Sequence, residues 1–163
     1  MIFLTVGTQL SFDRLVRIVD ELIPSVSRPI YGQIGPNPKY LPRNFAYSNH
    51  LGPVDFDQLV SQADLIVSHA GIGSILAARR VGKPIVVFPR LASQGEHRND
   101  HQLATCRQME HVSGIMVAWN GEDLASLLRD PGTYVAPDRQ LASRGRQDLE
   151  RALRAFMLGT PIA

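Results

Sequence analysis

Short apolar runs alternate with stretches of helical periodicity along most of this chain. Residues 2 to 6, Ile-Phe-Leu-Thr-Val, read as a buried strand broken by Gly7-Thr8-Gln9. After Ser11, apolar residues fall at Phe12, Leu15, Val16, Val19, Leu22 and Ile23, the spacing of a helix with one buried face. A second strand is predicted over Pro29–Ile34, then a proline-rich loop with Pro36, Pro38 and Pro42, then a short strand at Phe45-Ala46-Tyr47. Phe56, Leu59, Val60 and Ala63 predict the next helix, and Asp64-Leu65-Ile66-Val67 the next strand.

The alternation continues with a helix from about 73 to 82, a strand over Pro84–Phe88, a polar stretch, and a helix from about Asp100 to Glu110. Gly114–Ala118 is a further strand. Leu124, Leu127 and Leu128 predict a short helix, and Leu149, Ala152, Leu153 and Phe156 a final long one. Strands alternating with helices of these lengths predict an α/β fold: a Rossmann-like, mainly parallel sheet with helices on both faces. With no internal repeat, low-complexity tract or linker, residues 1–163 are expected to form a single domain.

Composition changes this picture little. The chain is 44% hydrophobic and 20% charged, ordinary for a globular protein, and a formal net charge of +2 does not point to nucleic acid. The single cysteine, Cys106, cannot form an internal disulfide and reads as a small buried hydrophobe in a reducing compartment. The opening apolar run lacks a charged lead-in, so it reads as a strand rather than a signal peptide. No run approaches the roughly 20 apolar residues of a membrane helix, so any membrane association is expected to be peripheral.

Ligands of open parallel sheets bind beyond the carboxyl ends of the strands, near the point where strand order reverses. Three polar loops leave such ends: Gly7-Thr8-Gln9, His69-Ala70-Gly71-Ile72-Gly73-Ser74, and Arg90 through Gln102. The middle loop, "SHAGIGS", runs from a strand straight into a helix. Its glycines fit a tight turn equally well, or a helix start where bare amides meet a phosphate, with Ser74 adding a hydroxyl and Thr8 closing the other side. No Gly-Lys-Ser/Thr ending makes it a P-loop, and the missing third glycine and acidic partner argue against a dinucleotide site. A nucleoside diphosphate remains as the natural ligand.

The stretch "PRLASQGEHRNDHQ", residues 89 to 102, is the densest in polar groups. His97 and His101 have the four-residue spacing of metal-binding histidines, with Glu96 and Asp100 nearby, but the strict His-Glu-x-x-His order is absent and no metal is expected. Asp100 fits a helix cap. The sharper reading has Asp100, His101 and Gln102 hydrogen-bonding hydroxyls of a sugar from a helix start.

The segments "IFLTVGTQ", "FDRLV", "ADLIVSHAGIGSI", "GKPIVVFPR" and "GEHRNDHQLA" resemble, in order and spacing, the small exopolysaccharide subunits of family-28 glycosyltransferases. These are similar to the small subunit of the eukaryotic dolichol-linked UDP-GlcNAc transferase and to the C-terminal half of MurG. The resemblance runs from residue 2 to about 110. It implies the C-terminal, donor-binding half of a GT-B transferase, holding a UDP-sugar. The partner it implies is a separate membrane-anchored subunit that binds a lipid-linked saccharide acceptor. This chain would then lie in the cytoplasm, at the inner face of the plasma membrane through that partner.

By the same resemblance, Gly71, Ile72, Gly73 and Ser74 hold the diphosphate, Gly7 and Thr8 border the cleft, and Asp100 and Gln102 face the donor sugar. Gln102 and His69 are the candidate catalytic side chains, although the base that activates the acceptor is expected in the partner and a strand-end histidine is often structural. One departure matters: the glutamate that grips ribose in the relatives is Ala77 here, so Glu96 becomes the candidate for that task. No cofactor or metal is implied, because a helix dipole and amides offset charge on the leaving diphosphate. Glucuronic acid is one donor known among such relatives, and Arg90 and Arg98 are then the candidates to pair its carboxylate by a forked hydrogen bond. The alternative function is a non-catalytic, nucleotide-sugar-binding regulatory subunit.

Overall fold

A computed structural model describes residues 1–130 together with Gly132, Tyr134 and Pro137. Its elements run β1 (Ile2–Thr5), α1 (Asp13–Leu22), β2 (Ile30–Gln33), β3 (Ala46–Ser48), α2 (Pro53–Gln62), β4 (Leu65–His69), α3 (Ile72–Arg80), β5 (Ile85–Phe88), α4 (His101–Met109), β6 (Ile115–Val117) and α5 (Gly121–Arg129). The final helix expected around Leu149–Phe156 lies outside the described residues.

All strand pairs are parallel, in the order β3-β2-β1-β4-β5-β6. The chain builds outward from β1 to β3, then returns to the other side of β1 with β4. The order therefore reverses between β1 and β4, and their carboxyl ends lie side by side, Thr5 opposite Ser68. That reversal opens a crevice between the loops that follow the two strands.

The period-two rule sorts the strand residues onto two cores. Ile2, Leu4, Leu65, Val67, Val86 and Phe88 face α1 and α5, meeting Leu15, Val16, Val19, Leu124 and Leu128. Phe3, Ile66, Ile85 and Val87 face the other way, onto Val60 of α2, Ile75 and Ala78 of α3, and Cys106 of α4. Helices thus cover both faces, as near-continuous apolar strands require. Burial pushes the Cys106 thiol up to about 12, leaving it an inert core group. The proline-rich loop is tied to α1 by buried Asp20, whose carboxylate accepts from the Tyr40 hydroxyl and the amides of Arg43 and Asn44.

Two local expectations change. Asp100 precedes α4, but its carboxylate accepts from the Ala92 amide at 2.9 Å and makes no cap bond to its own helix. Helix α3 begins at Ile72 and ends at Arg80 rather than running from 73 to 82; Gly82, at φ +69°, turns the chain away. No helix among the described residues is long and apolar enough to cross a membrane.

Candidate functional site

A cavity of about 590 Å³ opens at the carboxyl end of the sheet, over the point where strand order reverses. Its floor is the start of α3, with Gly71, Gly73 and Ser74 on the lining. The loop after β1 supplies Gly7, Thr8 and Leu10, while Leu51, Pro53 and Phe56 wall the side toward β3. The side toward β5 is polar and carries His97, His101 and Gln102.

The two glycines nearest His69 owe their identity to its ring. A Cβ on Gly71 would lie 2.2 Å from His69 Nε2, and one on Gly7 would lie 2.8 Å from Cε1. Gly7 also adopts φ +80°, whereas Gly71, at φ −93°, has ordinary backbone angles. The imidazole therefore fills the space between two bare backbones and braces the β1 and β4 loops against each other. Gly73 is different. Nothing lies within 4 Å of the Cβ it lacks, so no protein atom demands glycine there.

Gly71 stands at the N-cap of α3 with no side chain capping the helix, and the first turn carries no acidic residue. The first-turn amides of Ile72, Gly73 and Ser74 consequently have no intrahelical acceptor, and the positive end of the helix dipole is uncompensated. A cavity floor of this kind suits an anion. The Ile72 side chain itself turns out to solvent, half exposed, and contributes only backbone to the site.

Burial first, and then the charge of Arg90, lowers the His69 pKa to about 4. Its ring is neutral at physiological pH, and a group so weakly basic is a poor general base there. Its Nδ1 lies 3.3 Å from the Ser68 hydroxyl.

The loop after β5 spends most of its charge on itself. Arg90 is 2% exposed and donates through Nη2 to the carbonyls of Val6 (3.0 Å) and Leu10 (2.8 Å) and through Nη1 to Ser11 (2.6 Å) and Glu96 (3.4 Å). Its guanidinium also stacks over Phe12 at 4.5 Å. Burial pulls its pKa down to about 10, which leaves it cationic at neutral pH. Arg90 lines the cavity and is at the same time the clamp that fixes the β1 loop: its Nη1 and Nη2 donors are spent on four backbone carbonyls, which leaves only Nε for the sugar carboxylate expected of it.

Glu96, expected to hold ribose, is instead held by Arg14 in a two-pronged pair at 2.7 and 2.8 Å and accepts from the Leu91 amide at 2.8 Å. It does not line the cavity, and neither do Arg98 and Asp100, both exposed. Gln102 is on the lining, 3% exposed, with Oε1 accepting from the Arg90 amide at 3.1 Å. His101 also lines it, in edge-to-face contact with His97 at 4.4 Å between ring centres. Among the described residues no group of three His, Cys, Asp or Glu could hold a metal ion.

Sequence reasoning missed the contribution of Gln33, His50, Leu51 and Phe56, all on the lining. The strand-end rule would have found them, because β2 and β3 end at the same edge as β1. A parallel sheet in this order, with an open helix start at its switch point, is a Rossmann-like fold with its crevice at the carboxyl edge. The chain belongs to the glycosyltransferase family 28 C-terminal domain family, whose profile matches residues 1–153.

Two curated relatives are subunits named UDP-N-acetylglucosamine transferase subunit ALG13. The Debaryomyces hansenii protein is 31% identical over 95 residues, covering 55% of this chain and 42% of that protein. The human protein is 31% identical over 127 residues, covering 69% of this chain and 10% of that protein. The chain thus spans less than half the length of either. Among solved structures, Acinetobacter baumannii MurG superposes with a TM-score of 0.58 at 20% identity, over 89% of this chain and 44% of that one, and shares the fold.

Proposed function

We propose that this chain is the catalytic, donor-binding subunit of a two-component glycosyltransferase that transfers a hexose from a UDP-sugar to a lipid-linked exopolysaccharide intermediate. The observation that carries the reading is the uncapped start of α3, glycine-bearing and without an acidic residue, at the floor of the switch-point cavity. The first-turn amides and the Ser74 hydroxyl receive the diphosphate. The apolar flank of Leu51, Pro53 and Phe56 takes the nucleoside, and the polar flank of His97, His101 and Gln102 takes the sugar.

As the sugar–phosphate bond breaks, negative charge grows on the leaving UDP, and the helix start stabilises it without a metal ion. The acceptor hydroxyl then attacks from the opposite face, with inversion. The weak basicity of His69 favours a base supplied by the acceptor-binding partner, which also tethers this chain to the membrane. A neutral hexose fits better than a hexuronate, since Arg90 is engaged and Arg98 lies off the lining. The ALG13 relatives, named as UDP-N-acetylglucosamine transferase subunits, support both the donor class and the division into subunits.

Titration calorimetry with UDP tests the site. Gly73→Asp sets a carboxylate where the diphosphate would sit, so UDP affinity should fall by at least about tenfold. The melting temperature should hold or rise, because an acidic first-turn residue suits the helix dipole. Unchanged UDP affinity would overturn the reading. Sugar transfer should appear only when the partner subunit and its lipid-linked acceptor are added.

A further inference from the structure

His97 stands out because one of its atoms is left unfinished. Its Nδ1 is, among the described residues, the single buried side-chain nitrogen or oxygen without a hydrogen-bond partner. Burying a polar atom unsatisfied costs roughly 1–3 kcal/mol in a folded protein. Three other polar side chains of the same loop, Arg90, Glu96 and Asp100, each have protein partners. His97 also lines the donor cavity, on its polar flank, with its ring held edge-on against His101.

Resting on the donor-site reading above, we propose that His97 is a specificity residue whose Nδ1 hydrogen-bonds a hydroxyl of the sugar being transferred. A hydroxyl suits this atom in either tautomer, since it both donates and accepts while imidazole nitrogen does one or the other. The anionic centre of the donor is matched elsewhere, by the amides of α3, and among the described residues no buried polar atom on the flank toward β3 is left unpaired. The hexose end of the ligand is what remains for the side toward β5. In the free protein the atom waits unpaired, and binding completes it.

The test compares UDP with UDP-glucose and UDP-N-acetylglucosamine by calorimetry, alongside thermal melts of the ligand-free protein. His97→Phe keeps a ring against His101 and removes both nitrogens. It should weaken the better-bound UDP-sugar roughly five- to tenfold while leaving UDP unchanged. Its ligand-free melting temperature should hold or rise, because an orphaned polar atom has gone. His97→Asn, which returns an amide near the Nδ1 position, should recover most of the UDP-sugar affinity.

A structural histidine would behave oppositely, with a lower melting temperature and unaltered discrimination between UDP and UDP-sugar, and that result overturns the proposal. Equal losses for UDP and UDP-sugar overturn it as well, by assigning the atom to the nucleotide. Failure of the unaltered chain to bind UDP would instead remove the donor site itself, and this inference with it.

Discussion

The loops that follow β4 and β5 make opposite use of their residues. The β5 loop is crowded with charge, yet nearly all of it is consumed internally: Arg90 on four carbonyls, Glu96 on Arg14 and Leu91, Asp100 on Ala92. The β4 loop carries no charged residue from His69 to Ser74 at neutral pH, and it leaves its helix start open. Charge density in a sequence therefore marks the scaffold here, while the plain glycine-bearing turn forms the open floor of the cavity. The first loop stores rigidity and the second offers unmet valence.

The sharpest way to break this contrast is to remove the clamp. Arg90→Ala strands the buried Val6 carbonyl and the part-buried carbonyls of Leu10 and Ser11 and frees the β1 loop, and should cost about 3 kcal/mol in urea denaturation. Arg98→Ala, on an exposed side chain of the same loop, should stay within about 0.5 kcal/mol. Equal losses would mean that the loop is not organised around Arg90.

Acid probes the brace between the loops. His69 titrates near 4 in the fold against an ordinary 6.5, so between these values the unfolded chain binds a proton that the folded chain refuses. Stability is then at its full value above pH 6.5 and drains as pH falls towards 4, by up to about 1.4 kcal/mol per pH unit. Denaturation curves across that range should show the slope in the unaltered chain and a flatter line in His69→Asn. Identical slopes would discard the account of a buried neutral imidazole.

The two loop glycines give the smallest but most discriminating effects. Gly71→Ala drives a methyl group into His69 and should destabilise by about 1–3 kcal/mol. Gly73→Ala meets open space and should be neutral or stabilising by up to about 1 kcal/mol in the same measurement. Matching costs at the two positions would erase the distinction between a glycine fixed by packing and one with open space beside it.

Much of the fold was legible in the chain because its signals are local. The alternation of Ile2, Phe3 and Leu4 between cores, the helical spacing of Leu15, Val16 and Val19, and the strand-to-helix glycine turn all sit within a few residues. The candidate site was legible in outline for the same reason: the strand end at the switch point of an α/β sheet is where a cavity opens. The fate of individual polar groups was not. Arg14 lies 82 residues before Glu96, and the Val6 carbonyl 84 before Arg90, so the pairings that engage Glu96 and Arg90 within the protein exist only after folding. The reason for Gly71 was equally hidden, because it depends on where the His69 ring turns. His97 attracted notice only for its spacing from His101, whereas its actual distinction is a buried ring nitrogen left without a partner in a residue on the cavity lining.

Because one aromatic ring occupies the volume vacated at Gly7 and Gly71, His69 and Gly71 carry a single decision between them. A larger residue at Gly71 is tolerated only where the histidine has already shrunk, while Gly7 stays glycine even then, held by its φ of +80°. Neutral drift through this corner of the molecule must therefore proceed in a fixed order, ring first and Gly71 afterwards.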